Sequence, residues 1–232
     1  MFFSSLLRTA ALGLLFTNVA ASATGIVPET SVIIVEQSDG EGAINLKNTD
    51  SFPVLLLSTL QNTKDDQDSL LTITPPAARV EPGKVQSVRF LITDDTPLKT
   101  ERLKRVVFEG VPPQKKNQNE VRMTIRQNLP VIIRPAGLAR EQAPWKLLSW
   151  TKAGNDLTVT NPSPYVVRLS QKVSTLPGKG EWMLPEAYLL PGQTVTLTKG
   201  KSDTGIAISQ VTLYPATTWG FSVASYTATV AG

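Results

Sequence analysis

The sequence predicts an all-β protein built from two β-sandwich domains. Short apolar or alternating runs recur along the chain, and turn-forming pairs such as Pro82-Gly83 and Pro191-Gly192 separate them. No segment keeps an apolar repeat of 3.6 residues, so we expect little helix. The length of 232 residues suits two domains of roughly 100 residues each.

Residues 1–23 have the features of a cleavable signal peptide. Arg8 precedes an apolar run over residues 9–16, and Ala21-Ser22-Ala23 supplies the small residues that signal peptidase requires. A buried N-terminal helix is the alternative. The run is too short to span a bilayer well, and no later segment approaches a membrane span. We therefore expect export of the mature chain, without insertion into a membrane.

The first domain is predicted over residues 24–137. Its expected strands are short and either alternate or contain β-branched residues, and they cover residues 31–36, 42–47, 54–60, 70–74, 78–81, 86–92, 103–108 and 120–133. This density of strands and turns is typical of a β-sandwich. The domain ends in the sequence RPAG at residues 134–137, and residues 138–144 form a charged, proline-containing linker.

The second domain is predicted over residues 138–232, which include the linker at their start. The expected strands are again short, and they cover residues 157–160, 165–169, 186–190, 194–199, 206–213 and 221–230. This pattern indicates a second sandwich of about the same size as the first.

The stretch EVRMTIRQNLPVIIRP at residues 120–135 reads as one strand with two different halves. In its first half Val121, Met123 and Ile125 fall on one face, because side chains alternate along a strand. Its second half is a nearly continuous apolar run over residues 129–133, which is expected of a strand that is covered on both faces.

The composition excludes several classes of site. The chain has neither Cys nor His, so it cannot build a His-based triad, a Cys nucleophile or a zinc site of the common type. A hydrolase with a carboxylate pair stays possible by composition, although no cluster of acids suggests one. The net charge of +4 is scattered, which argues against nucleic-acid binding. We predict a protein that is not an enzyme and has no cofactor or metal.

An ordered set of short motifs resembles a known family. The motifs are Thr74-Pro75-Pro76, Arg79-Val80-Glu81-Pro82-Gly83, Val111-Pro112-Pro113, Ile133-Arg134-Pro135 and Asn161-Pro162-Ser163-Pro164-Tyr165. In this order they resemble the periplasmic chaperones of the chaperone–usher pilus pathway, the PapD-like family. The resemblance implies two immunoglobulin-like domains set at an angle like a boomerang. It also implies a periplasmic location and two partners, a pilus subunit and an outer-membrane usher.

The resemblance gives the two-halved strand a function. Family members lend a strand to an incomplete subunit and insert alternate apolar side chains into its groove, a form of β-strand addition. Val121, Met123 and Ile125 are the residues that the resemblance assigns to this contact. The alternative is that they face the protein's own core. Because an exposed apolar strand favours aggregation, self-association of the free protein is also expected.

Two departures from the family pattern concern charged residues. The family's paired basic residues, which bind a subunit's terminal carboxylate, align with Ser31 and Pro130, so Arg126 or Arg122 is left as a candidate anchor. The family's interdomain ionic network aligns with Glu101 and Arg134, but its second acid aligns with Thr218. Glu101 could instead be a solvated loop acid.

Two other functions stay open at the level of the sequence. One is an exported adhesin or structural subunit, which would be expected to lack an internal strand and to carry a free donor extension. The other is a chaperone-like protein that has lost subunit capping, which the non-basic Ser31 and Pro130 suggest.

Overall fold

The computed structural model describes residues 25–94, 96–113, 124–200 and 207–231. The predicted signal peptide therefore lies outside the described residues, as do Val121, Arg122 and Met123. The described chain contains twenty short strands and one 3₁₀ helix, which confirms the all-β prediction. No helix in these ranges is long and apolar enough to cross a membrane.

The first domain contains nine strands in one continuous hydrogen-bonded sheet, which folds over into the two layers of a sandwich. The strands are β1 (Ile26–Pro28), β2 (Ile33–Glu36), β3 (Glu41–Asn48), β4 (Val54–Gln61), β5 (Leu71–Thr74), β6 (Ala77–Val80), β7 (Val85–Ile92), β8 (Arg102–Val111) and β9 (Arg126–Arg134). Their order is β5-β7-β3-β2-β9-β8-β4-β6, with β1 beside β3. The β2–β9 pair is parallel, whereas the other pairs in this sheet are antiparallel.

The second domain starts with the 3₁₀ helix Pro144–Leu147 and continues with eleven strands. The strands are β10 (Ser149–Ala153), β11 (Asp156–Thr160), β12 (Val167–Leu169), β13 (Lys172–Leu176), β14 (Glu181–Met183), β15 (Tyr188–Leu189), β16 (Thr194–Thr196), β17 (Thr198–Lys199), β18 (Gln210–Leu213), β19 (Pro215–Ala216) and β20 (Tyr226–Ala231). They form one sheet in the order β16-β11-β10-β20-β18-β13-β14-β17 and a smaller one in the order β15-β12-β19.

Each domain has its own hydrophobic core. The first packs alternate residues of its strands around Phe90 and Phe108, and the second packs around Trp150 and Trp182. A third, smaller cluster joins the domains, because Val166 of the second domain packs against residues of the first, namely Val32, Leu103 and Ile132. A side chain's parity along its strand therefore decides whether it enters a core or the junction between the domains.

Some predicted boundaries differ from the observed ones. β9 begins at Arg126, so the described residues Thr124 and Ile125 precede it, and β20 begins at Tyr226 rather than near residue 221. A turn closed by the bond from Gly220 N–H to the Thr217 carbonyl occupies the chain before β20. The sequence pattern also missed β10, β13 and β14, because none of them shows a long β-branched or alternating run.

Candidate functional site

Strand β9 has one fully paired edge and one edge that is only half paired. On one side it pairs with β8 along its whole length, from Arg126 opposite Glu109 to Ile133 opposite Arg102. On the other side β2 pairs only with residues 131–134. Among the described residues, no strand covers this second edge at residues 126–130. We call this segment the open edge of β9.

The backbone groups of the open edge point away from β8. Gln37 N–H donates to the Arg134 carbonyl at 2.9 Å, so Arg134 directs its backbone groups to the β2 side. Because the direction alternates from residue to residue along a strand, Pro130, Asn128 and Arg126 direct theirs to the same side. Pro130 has no N–H, which leaves Asn128 and Arg126 as donors at the open edge.

A largely apolar groove of about 430 Å³ runs beside the open edge. Gln127 and Leu129 line it from β9, and residues 28–31, which run from the end of β1 towards β2, line it as well. Trp219 and Phe221, which are 50% and 71% exposed, line it from the second domain. An incoming extended chain could bury the exposed aromatic rings and could accept hydrogen bonds from the backbone donors that no described strand pairs with.

Of the three side chains assigned to subunit contact, only Ile125 lies within the described residues. It is 55% exposed and adjoins the start of β9, so it does not enter this protein's own core. Val121 and Met123 belong to the segment that the structure does not describe. Their assignment stays a prediction, as does that of Ile125.

The weak candidate anchor, Arg126, is engaged elsewhere. Its Nε donates to Glu109 Oε2 at 2.6 Å across the β8–β9 pair, and its side chain is largely exposed. This contact directs the Arg126 side chain towards β8, at the first residue of β9. The pairing with Glu109 therefore weakens the case for Arg126 as a carboxylate anchor.

Ser31 faces a turn of the second domain. Gly220 has a φ of +86°, and a Cβ at this position would collide with Ser31 Oγ and lie 2.8 Å from Val32 Cγ2. Two hydrogen bonds between Thr217 and Phe221 fix the turn. The Thr217 N–H donates to the Phe221 carbonyl at 2.8 Å, and the Phe221 N–H donates to Thr217 Oγ1 at 3.1 Å. The Ser31 side chain therefore lies directly against this turn.

Pro130 lies opposite Arg105 in the β8–β9 pair. The Arg105 guanidinium donates from Nε to Asn128 Oδ1 at 2.6 Å and from Nη2 to the Asn128 carbonyl at 2.7 Å. A cation is thus present one strand away from the position where the family pattern places one. Sequence alignment alone could not find it, because Arg105 belongs to a different strand.

The predicted pair Glu101 and Arg134 is in contact at the end of β9. The Arg134 side chain is 6% exposed, and its Nε donates to Glu101 Oε1 at 3.2 Å. Its Nη1 donates to Glu36 Oε1 at 2.8 Å, and its Nη2 donates to the carbonyls of Leu138 and Ala139. Glu101 is therefore a buried partner of Arg134 rather than a solvated loop acid.

Glu101 also bonds directly to the second domain. Its Oε2 accepts from the Val166 N–H at 2.8 Å, and its own N–H donates to the Pro164 carbonyl at 2.9 Å. Burial raises the pKa of Glu101 above its ordinary value, while the bonds from Val166 and Arg134 oppose that rise. The carboxylate is thus held by donors from both domains.

The second acid of this network is Glu36, which the sequence did not reveal. Residue Thr218, at the aligned position, donates to the Glu141 carbonyl at 3.4 Å instead. Glu36 lies opposite Arg134 in the parallel β2–β9 pair and also accepts from Arg140 Nη2 at 3.4 Å. The signal in the sequence would have been an acid at the end of a strand that pairs with β9.

A buried ion cluster fixes the connection between β4 and β5 against β8. Lys104 Nζ donates to Asp66 Oδ1 at 2.7 Å, and Arg102 donates to both Asp66 oxygens at 2.5 and 2.6 Å. The preceding residues reach the second domain, since Lys64 pairs with Glu186 at 2.7 Å and Asp65 accepts from the Tyr188 hydroxyl at 3.1 Å.

Burial opposes the ionisation of Asp66, but the hydrogen bonds from Arg102 and Lys104 outweigh it and hold the pKa of this carboxyl below its ordinary value of 3.8. A carboxyl with a lowered pKa in the folded state stabilises the protein above its unfolded-state pKa, and this contribution is lost as the pH falls through the folded-state pKa.

Replacing Asp66 with Asn should therefore destabilise the first domain by about 1–3 kcal/mol at pH 7 and by progressively less as the pH falls below about 4. Urea unfolding at pH 7 and pH 3 measures both values. The matched control is Asp68→Asn, because the Asp68 side chain is 68% exposed and its carboxylate pairs with Arg102 at the surface. An equal loss in Asp66→Asn at both pH values would contradict the assignment.

Comparison with known proteins agrees with this architecture. A family model described as the N-terminal domain of PapD, a pili and flagellar-assembly chaperone, matches residues 25–139. A second model, described as the C-terminal domain of the pili assembly chaperone PapD, matches residues 143–220. Together the two matches cover nearly all of the described chain.

Individual relatives carry related descriptions. The chain is 43% identical over 207 residues to an Escherichia coli K12 protein named as the uncharacterized fimbrial chaperone YhcA, covering 88% of this chain and 90% of the relative. It is 29% identical over 164 residues to the chaperone protein MrkB of Klebsiella pneumoniae, covering 66% and 70% respectively.

Solved structures show the same fold. A structure of the Salmonella enterica SafA pilin in complex with the SafB chaperone matches with a TM-score of 0.72 and 20% identity, covering 90% of this chain and 98% of the other. The YadV chaperone matches with a TM-score of 0.70 and 22% identity, covering 89% and 100%. The two family models and the 43% identical relative show that this chain belongs to the PapD-like family of pilus-assembly chaperones.

Proposed function

We propose that this protein is a periplasmic chaperone that binds and caps a fimbrial subunit by lending β9 and the residues before it as an additional strand, and that it delivers the subunit to an outer-membrane usher. The observation that carries the proposal is the open edge of β9, which faces an apolar groove. The action is templating by binding, with no chemical step.

The open edge supports strand addition in two ways. Its donors, the N–H groups of Asn128 and Arg126, face no other strand of the described chain and can extend a β-ladder into a partner chain. Exposed apolar groups, namely Trp219 and Phe221 in the groove and Ile125 just before β9, supply surface that burial against a partner would stabilise. The SafA–SafB complex, in which a chaperone with this fold holds a pilin, is a precedent for such a partner.

The same features bear on the free protein. An unpaired strand edge with exposed apolar neighbours invites pairing with another chain, and a second copy of this protein offers the same edge. Self-association through the open edge is therefore part of the proposal. It would be expected to disappear when a subunit occupies β9.

The proposal is tested by removing one backbone donor. Asn128→Pro deletes the N–H at the open edge and leaves the pairing with β8 intact. Asn128→Ala keeps this N–H. Both variants lose the contact between the Asn128 side chain and Arg105, so they differ in the backbone donor. Both variants are co-expressed with the subunit encoded beside the chaperone. We expect Asn128→Pro to weaken the purified complex about two- to tenfold relative to Asn128→Ala, because one net hydrogen bond is lost.

The outcome is read by co-purification and by titration of the subunit. Far-UV circular dichroism and thermal unfolding check that each variant keeps its fold. Equal binding by the two variants would argue against strand addition at the open edge. A wild-type protein that captures no subunit would instead favour the chaperone-like protein without capping activity.

A further inference from the structure

We propose that Asn161 is a positioning residue that sets the orientation of the two domains. It does so by holding the connection between β11 and β12 in the shape that fits the first domain. We call this connection, residues 161–166, the junction turn. The structural part of the proposal stands alone, and its consequence for subunit capping rests on the proposed function.

The junction turn supplies three hydrogen bonds that join the second domain to the first domain and to the linker. The Pro164 carbonyl accepts from the Glu101 N–H at 2.9 Å, and the Val166 N–H donates to Glu101 Oε2 at 2.8 Å. The Tyr165 hydroxyl donates to the Ala139 carbonyl at 3.0 Å. The Val166 side chain also packs in the small cluster between the domains. The shape of this turn therefore determines how the two domains meet.

Asn161 holds the junction turn from inside. Its side chain is fully buried, and its Nδ2 donates to the carbonyls of Tyr165 at 2.8 Å and Leu190 at 3.1 Å. Its Oδ1 accepts from the Ser163 N–H at 3.2 Å and from Ser163 Oγ at 2.6 Å. Such bonds from an Asn side chain to the backbone that follows it define a turn. All of these partners belong to the second domain, so Asn161 acts on the junction through the turn.

The backbone of Asn161 anchors the junction turn to the sheet of the second domain. Its N–H donates to the Gln193 carbonyl at 2.9 Å, and its carbonyl accepts from the Gly192 N–H at 2.7 Å. Gln193 Oε1 in turn accepts from the Leu190 N–H at 2.9 Å. The start of the junction turn is thus fixed by the Pro-Gly turn before β16, and its end is presented to the first domain.

The first domain contains the same arrangement around Asn48, the last residue of β3. Asn48 is also fully buried, and its Nδ2 donates to the carbonyls of Phe52 and Val80, both at 2.9 Å. Its Oδ1 accepts from the Asp50 N–H at 2.9 Å. Each Asn therefore holds the carbonyl four residues later and the N–H two residues later.

The backbone contacts of Asn48 repeat as well. Its N–H donates to the Lys84 carbonyl, and its carbonyl accepts from the Gly83 N–H, both at 2.9 Å. Gly83 belongs to the Pro-Gly turn of the first domain, as Gly192 does in the second. The two buried Asn residues are therefore equivalent within their own domains.

The two turns differ in what they contact. Ser51 and Phe52 are exposed at the surface of the first domain, whereas Val166 is 4% exposed and lies between the domains. Asn48 thus stabilises one domain, whereas Asn161 stabilises its domain and also positions it against the other. This difference makes Asn48 a control that the chain itself supplies.

The orientation of the domains affects the groove beside the open edge of β9. Gln127 and Leu129 line this groove from the first domain, and Trp219 and Phe221 line it from the second. A rotation of the second domain about the junction turn would move the two aromatic rings relative to β9. Under the proposed function, Asn161 therefore influences the affinity for a subunit without contacting it.

The test compares Asn161→Ala with Asn48→Ala in the mature protein labelled with ²H and ¹⁵N. Residual dipolar couplings of backbone N–H groups give an alignment tensor for each domain separately, so they report orientation independently of stability. We expect one shared tensor for both domains in the wild type and in Asn48→Ala. In Asn161→Ala we expect the two tensors to differ in direction or magnitude, because the junction turn loses its internal bonds. Thermal unfolding should show a lower Tm in both variants.

Ser163→Ala is a milder change in the same turn and covers the case in which Asn161→Ala does not fold. It removes the hydroxyl that donates to Asn161 Oδ1. The Glu101 amide, which bonds to the Pro164 carbonyl across the junction, should then exchange with solvent about two- to tenfold faster. The Asn48 amide, which lies in the same domain as Glu101, should keep its rate.

Three results would overturn the proposal. They are unchanged tensors in a folded Asn161→Ala, an equal change of orientation in Asn48→Ala, and an unchanged exchange rate of the Glu101 amide in Ser163→Ala. None of these measurements requires a subunit. A failure here is therefore distinguishable from a failure of strand addition, which the Asn128 variants test.

Discussion

Replacing Ile125 with Asp is expected to abolish subunit capping while leaving the chaperone folded. Ile125 is 55% exposed in the free protein, so the new carboxylate remains hydrated until a partner covers it. Burying an unpaired carboxylate in the apolar groove of a subunit would cost several kcal/mol, which lowers affinity by more than about 100-fold. Protection of the co-expressed subunit from degradation measures the effect, together with co-purification.

Val85→Asp is the matched control for this experiment. Val85 is 57% exposed and lies in β7, away from the open edge, so the same substitution there should leave capping unchanged. Met123→Asp provides a second variant on the assigned face and should behave like Ile125→Asp. If both variants on the assigned face still protect the subunit, the assignment of this strand is wrong.

Replacing Arg134 with Met is expected to destabilise the protein by about 3–5 kcal/mol. The change leaves Glu101, buried at the domain junction, and Glu36 without their shared cation, and it removes the donors to Leu138 and Ala139 in the linker. Urea unfolding followed by tryptophan fluorescence measures the loss. Small-angle scattering of the folded variant checks whether the two domains keep their arrangement.

Arg140→Met separates the buried contact from the general loss of a cation near Glu36. Arg140 is 69% exposed and lies 3.4 Å from the same carboxylate, so its removal should cost less than about 1 kcal/mol. A similar loss in both variants would show that the position of Arg134 has no special role. A loss below about 1 kcal/mol in Arg134→Met would contradict the coupling of the domains through this network.

The sequence predicted the features that follow from local pattern. The continuous apolar run after residue 128 became the buried half of β9, because Val131 and Ile133 enter the first core and Ile132 enters the junction. The Pro-Gly pairs became turns with Gly83 and Gly192 at φ of +71° and +73°. Such features depend on the spacing of apolar residues and on turn-forming residues, both of which act over only a few neighbouring positions.

Features that depend on contacts between distant segments were not predictable in this way. Glu36 meets Arg134 through the parallel pairing of β2 with β9, and Glu101 accepts from the Val166 N–H only where the two domains touch. The open edge of β9 arises because β2 ends its pairing at Ile33, which no residue near position 128 encodes. The order of strands in a sheet cannot be read from the local pattern of a single sequence, so contacts between distant strands stay hidden until the fold is known.

The packing of Ser31 against Gly220 restricts the routes by which this sequence can change. Any side chain at position 220 meets Ser31 Oγ and Val32 Cγ2 and also requires a φ of +86°. The first domain therefore limits which residues are tolerated at position 220 of the second. A change of Gly220 would thus require a compensating shift on the first domain, so we expect position 220 to accept glycine alone while Ser31 and Val32 keep their places.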